Sequence, residues 1–189
     1  MPNFNLEIKS AVEAIKAGKL ILFPTDTCWS IGCDANNASS VEKLLMLKQN
    51  DNPKNITCLV ADDRMLGKYV KQIPDAAQSI IEIADTPTTI VYDMPQNLAT
   101  NLYWKNNTIA IRIPDDEFCY QLLRRTNCAI ATSLACIEGE ASPKYYEEIA
   151  PTILKGVDYV VNLQMQKNCT KPASIIQIDN SSIVKILRK

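Results

Sequence analysis

The sequence predicts an α/β protein: a single-domain, twisted mixed β-sheet with flanking helices, over residues 1–189. Three observations carry this. Short runs rich in β-branched residues, such as LILF at 20–23, TIAIRIP at 108–114 and CAIATS at 128–133, are separated by segments with helical spacing. Two further runs, ASIIQI at 173–178 and SIVKILR at 182–188, follow each other with no helix between them, so the sheet is mixed and not regularly doubly wound. A chain of 189 residues that is 47% hydrophobic and 22% charged can bury one ordinary core.

Leu6, Ile8, Val12 and Ile15 give residues 5–17 one apolar helical face, with Gly18 suited to the C-cap. LILF is a buried strand ended by Pro24. Ser39 and Ser40 suit the cap of a helix over 40–48, whose apolar positions are Val41, Leu44, Leu45 and Leu47. A polar loop, QNDNPKN, leads to a strand at 56–61. Helices are expected near 63–71 and 75–84, then a strand, TTIVYD, at 88–93. Residues 108–114, 116–126 and 128–133 read as strand, helix and strand. A helix over 144–155 and a strand at 158–163 precede the last two strands, which pair as a hairpin around Asp179-Asn180.

Composition excludes several chemistries. Histidine is absent, which removes Ser–His and Cys–His catalysis and the commonest zinc ligand. The seven cysteines at 28, 33, 58, 119, 128, 136 and 169 include no CxxC spacing, so no protein-bound metal is expected. With no signal-like start at MPNFNLEIKSA and no apolar run near the ~20 residues of a membrane span, a cytoplasmic protein with reduced thiols and no membrane partner is expected. A net charge of −1 gives no global bias toward nucleic acid and leaves a local basic groove open.

Ala17-Gly18-Lys19 is not a phosphate loop: the upstream glycine is missing, Leu20 stands where a hydroxyl should bind magnesium, and a strand follows instead of preceding it. No GxGxxG occurs. Pro24-Thr25-Asp26-Thr27, directly after a buried strand, admits two readings. Its hydroxyls and carboxylate can bind a ligand's ammonium and hydroxyl groups, or they can close a Ser/Thr turn.

PTDTCWSIGCDA at 24–35 closely resembles the PTDTVYGLGCDA signature of the YrdC-like threonylcarbamoyl-AMP synthase family. VEKLLMLKQNDNPKNITCLVA at 41–61 resembles that family's helix, KxR loop and next strand. PTTIVY at 87–92 and TIAIRIP resemble its PLTIIY-type and VAVRVP strands. ATSLACIEGEASPKYYEEI at 131–149 looks like its TSAN loop and helix, and KPASIIQI and VKILR resemble its closing segments. The blocks fall in family order along nearly the whole chain.

The resemblance implies a YrdC/RibB-like fold and a nucleotidyltransferase that forms threonylcarbamoyl-AMP from L-threonine, bicarbonate and ATP, releasing pyrophosphate. ATP would arrive as substrate with Mg²⁺, and the product would pass to a separate transferase complex for t6A modification of tRNA. By position, Thr27, Arg112, Ala131 and Ser174 would contact threonine, with Arg112 offering a planar fork to its carboxylate. Lys48 and Lys54 join Arg112 as the catalytic candidates facing phosphate and bicarbonate. Asn50, Lys54, Thr108, Ser133, Ser142 and Arg188 would bind the nucleotide. Because Ile111 and Ile113 flank it, Arg112 points away from their face.

The chain departs from the pattern at several places. KxR reads Lys48-Gln49-Asn50, so the arginine is lost. TSAN reads Thr132-Ser133-Leu134-Ala135-Cys136 with no asparagine, Ser30 replaces a glycine, and Ala173 replaces a serine. Two alternatives to a working synthase therefore stand. One is a catalytically altered paralogue that keeps the pocket for a nucleotide or small metabolite. The other is a binder of double-stranded RNA.

Overall fold

The computed structural model describes residues 3–50, 52–169 and 171–189. The first helix, α1 (Phe4–Lys16), starts where the Asn3 side chain accepts hydrogen bonds from the amides of Asn5 and Leu6. It ends at Gly18, whose φ of 70° lets the Lys19 amide reach back to the Ala14 carbonyl. Strands β1 (Ile21–Pro24) and β2 (Trp29–Asp34) follow as an antiparallel pair. The cap of α2 (Ala38–Leu47) is Asn37, not Ser39 or Ser40; its carboxamide oxygen takes both serine amides.

The next elements are β3 (Thr57–Leu59), α3 (Asp63–Leu66), α4 (Asp75–Ile83), β4 (Thr88–Asp93), β5 (Thr108–Arg112), α5 (Glu117–Thr126) and β6 (Ile130–Leu134). The helix expected over 144–155 is shorter. Residues 146–148 form one 3₁₀ turn, and α6 (Pro151–Gly156) begins anew at Pro151, which lacks an amide to continue a helix and fits its first turn. The strand expected at 158–163 narrows to β7 (Tyr159–Val160), and the closing hairpin is β8 (Ser174–Ile178) with β9 (Val184–Arg188). The Asp179 carboxylate accepts the amides of Ser181 and Ile183 in its turn.

Among the described residues the strands run β7-β1-β2-β6-β3-β5-β4-β8-β9. β7 with β1, β3 with β5, and β4 with β8 are parallel; the other neighbours are antiparallel. The mixed sheet with flanking helices is thus as expected. Helices α1 and α5 lie together, bridged by Phe4 against Phe118 with ring centroids 6.5 Å apart, and Phe23 of β1 meets Phe118 at 6.0 Å.

Registry sets out the face that matters. Leu59 pairs with Arg112, Thr57 with Thr132, Leu134 with Ser30, Thr89 with Ile175, and Ile175 with Arg188. Partners in a register share a face, and so do residues two apart on one strand. Polar side chains from six strands therefore reach the same side of the sheet.

Candidate functional site

These side chains wall a cavity of about 270 Å³. Thr27, Lys48, Lys54, Arg112, Ser133 and Arg188 all line it, although they come from six separate stretches of the chain. Four basic groups thus face one hollow, with two carboxylates, Glu138 and Glu140, on the loop after β6. A larger hollow of about 580 Å³ lies beside α4, walled by Ile80, Ile81, Ile113 and other aliphatic groups. It carries Asp26, Asp85 and Asp115 against the lone Lys167, the wrong sign for a phosphate or carboxylate.

The Ser/Thr turn expected after β1 forms. Thr25 makes the turn: its hydroxyl donates to the Cys28 carbonyl at 2.8 Å and accepts the amides of Thr27 and Cys28 at 3.2 Å. Thr27, 3.0 Å from the Thr25 hydroxyl, faces the cavity. Asp26 is taken by Arg112, whose Nη1 donates to both of its carboxylate oxygens at 2.6 and 2.5 Å. The two side chains are only 5% and 9% exposed, so this is a buried, charge-assisted pair. To described residues, every hydrogen bond of the Arg112 side chain runs through Nη1, leaving Nη2 and Nε for a ligand carboxylate.

Lys48 is 3% exposed. Its ammonium donates to the Leu134 carbonyl at 2.7 Å and to the Cys136 carbonyl, so it holds the loop after β6 against the end of α2. Burial pulls its pKa below the usual lysine value. Replacing Lys48 by Met should leave the Cys136 carbonyl without a donor among the described residues, while the Leu134 carbonyl keeps the Cys136 amide, and destabilise the fold by about 1–3 kcal/mol. Amide hydrogen exchange over 134–140 should quicken; unchanged exchange would show that the lysine does not hold the loop.

Lys54 is exposed, its ammonium 5.7 Å from the Trp104 ring centroid. Arg188 donates to the Ala173 carbonyl through Nε at 3.1 Å and Nη2 at 2.7 Å, which ties the end of β9 to the cavity rim. Ser133 donates to the Asn55 carbonyl at 3.1 Å.

Five of the expected contacts lie outside the cavity wall. Ala131 alternates with Thr132 on β6, so it points to the opposite face, into the core. Ser174, between Ala173 and Ile175, likewise turns away and meets Thr88 at 3.2 Å. Thr108 sits at the far end of β5, about 13 Å along the strand from Arg112 at a strand's usual rise. The side-chain oxygen of Asn50 accepts the Asn52 amide at 2.8 Å in its own loop. The Ser142 hydroxyl is buried beside Cys28, away from the cavity wall. In their place the wall holds Ser30, Thr57, Thr89 and Thr132. Thr89 and Thr132 are buried hydroxyls inside otherwise apolar strands, a signal the sequence did carry.

Among the described residues, no group of three or more metal-ligating side chains occurs, and no helix is long and apolar enough to cross a membrane. Fold and cavity together define a mixed α/β protein with a concave, hydroxyl-lined cavity across one sheet face, faced by four basic groups. The chain belongs to the Sua5/YciO/YrdC family, whose model, described as telomere recombination, matches residues 13–189. It is 30% identical over 185 residues to a putative threonylcarbamoyl-AMP synthase of Methanocaldococcus jannaschii, covering 95% of this chain and 86% of that one. A threonylcarbamoyl-AMP synthase of Idiomarina loihiensis is 27% identical over 180 residues, covering 94% and 96%. Among solved structures, P. abyssi Sua5 complexed with L-threonine superposes with a TM-score of 0.83 at 24% identity, covering 96% of this chain and 53% of that one. E. coli YciO superposes at 0.82 with 21% identity, covering 100% and 91%. The chain thus spans about half the length of the Sua5 protein it matches.

Proposed function

We propose that this protein forms threonylcarbamoyl-AMP from L-threonine, bicarbonate and ATP. The observation that supports this most is the convergence of Thr27, Lys54, Arg112 and Arg188 on one cavity. In this reading the free donors of Arg112 hold the threonine carboxylate, and Thr27 receives its hydroxyl. The threonine amine attacks the carbon of bicarbonate, the C–N bond forms as the bicarbonate hydroxyl leaves as water with an amine proton, and a carbamate oxygen then displaces pyrophosphate from the α-phosphate. Lys54 and Arg188 offset the negative charge that gathers there, and the enclosed geometry keeps the reactants in contact. Magnesium would enter with ATP as substrate, and Glu138 and Glu140 of the cavity wall would offer it hard oxygen donors. Relatives that bear the synthase name support this activity and, with it, a supporting role in tRNA modification through a transferase complex.

A second reading, a paralogue that binds a nucleotide without forming the adenylate, is favoured by Lys48 being occupied with carbonyls and Asn50 lying outside the wall. One assay separates them. Purified protein with ATP should release pyrophosphate only when threonine and bicarbonate are both present. Release that ignores threonine, or none at all while ATP still binds, overturns the synthase reading.

A further inference from the structure

Two thiols beside the cavity have surroundings that the reaction above does not use. Cys28 closes the turn that presents Thr27. Cys169 lies in the loop that leads to Pro172 and Ala173, two residues of the cavity wall. The Trp29 amide donates to Cys169 Sγ at 3.2 Å. Because Trp29 is bonded to Cys28, standard backbone lengths place that sulfur within about 6 Å of the Cys28 Cα. A sulfur this near the Cys28 Cα is a neighbour of the Cys28 side chain, and closing an S–S bond asks for Cα atoms roughly 4.4–6.8 Å apart.

We infer that Cys28 and Cys169 form a peroxide-sensitive thiol pair, oxidised to a disulfide that staples the Thr25–Cys28 turn to the segment 164–169. This goes beyond the adenylation reading and does not depend on it.

The surroundings assign the order of events. The Cys28 thiol, the Trp29 amide and Lys167 stabilise negative charge on Cys169 and bring its pKa down to about 7, while Cys28 is pushed up, chiefly by Cys169. Cys169 is therefore the more readily ionised of the two and the attacking sulfur. It attacks one oxygen of the peroxide; the S–O bond forms, the O–O bond breaks, and hydroxide leaves. The Cys28 sulfur then attacks the sulfenic sulfur, the S–S bond forms, and the sulfenic oxygen departs as water with the Cys28 proton. Two electrons leave the thiols and reduce one peroxide. Both sulfurs are buried, Cys28 to 2% and Cys169 to 5% exposure, so a small uncharged oxidant is the class that fits. Burial raises Cys33, Cys58, Cys119 and Cys128, so Cys136, whose Sγ lies 3.8 Å from the Lys48 ammonium, is the competitor that the peptide map must exclude.

The test uses the whole chain, reduced, desalted and exposed to a few equivalents of hydrogen peroxide, then denatured with an alkylating agent and mapped by mass spectrometry. Expected are five alkylated cysteines instead of seven, one peptide pair joined through 28 and 169, and recovery of all seven after dithiothreitol. Seven alkylated thiols, a link between another pair, or sulfinic acid on Cys169 without a link would each overturn the proposal. In Cys28→Ser, dimedone should trap a sulfenic acid on Cys169. A trapped adduct elsewhere would overturn the assignment of the attacking sulfur. Should that variant not fold, the wild-type map still decides the existence of the link.

Discussion

Replacing Arg112 by alanine should raise the threonine requirement for pyrophosphate release about 10- to 100-fold, with a much smaller change for ATP. That range corresponds to one lost charge-assisted contact of about 1.5–3 kcal/mol. The same change should lower stability by about 3–5 kcal/mol, because it strands the Asp26 carboxylate at 9% exposure with no counter-charge. The two losses can be told apart. Asp26→Asn with Arg112→Ala should regain part of the stability, since no charge is then left buried, and regain none of the threonine affinity. Arg112→Lys keeps a cation and loses the planar fork, so it should fall between the two. Urea unfolding and initial rates at varied threonine and ATP check these outcomes. Equal effects on both substrates would contradict the assignment of Arg112 to the carboxylate.

Arg112 was legible because a lone charge stood among the apolar residues of β5. Its partner was not. Asp26 lies 86 residues away, and nothing local distinguishes a carboxylate that binds a ligand's ammonium from one that neutralises an arginine. Lys48 was misleading in the same way: a basic residue at a motif position suggests a phosphate contact, yet burial turned it toward two carbonyls. For the fold, β4 was plain because TTIVYD is a β-branched run bounded by Pro87 and by Met94 at a φ of 52°. β2 was missed for a physical reason. Its residues Trp29–Cys33 are buried on both faces, so no alternation marks it, and Gly32 breaks the β-branched run. That glycine is required by packing: a Cβ there would meet Phe23 Cε1 at 2.7 Å and Ile130 Cγ2 at 2.9 Å.

Raising pH should unfold this protein well before lysines or tyrosines titrate in bulk, because its core is rich in thiols. Burial pushes Cys58 up to about 12. Cys128 also rises to about 12, through burial and then the nearby Asp34. Cys33 and Cys119 rise for the same first cause. In the unfolded chain thiols ionise near 8.5. Between that value and the raised folded one, the unfolded state has lost protons that the folded state keeps, so stability falls as pH rises. Each such thiol removes at most about 1.4 kcal/mol per pH unit in that window. Two groups act in the opposite sense. Cys169, lowered to about 7, adds stability above pH 8.5 that is lost as pH falls through 7. Lys48 opposes folding while charged, and that penalty fades as pH rises past its lowered value. Five raised thiols, Cys28 among them, outweigh them. With reductant present throughout, the urea midpoint should drop steadily from about pH 8.5 upward, and Cys58→Ala should make the slope shallower. A midpoint that holds level to pH 10 would mean that the thiols ionise inside the fold as readily as outside it, which a dry core does not permit.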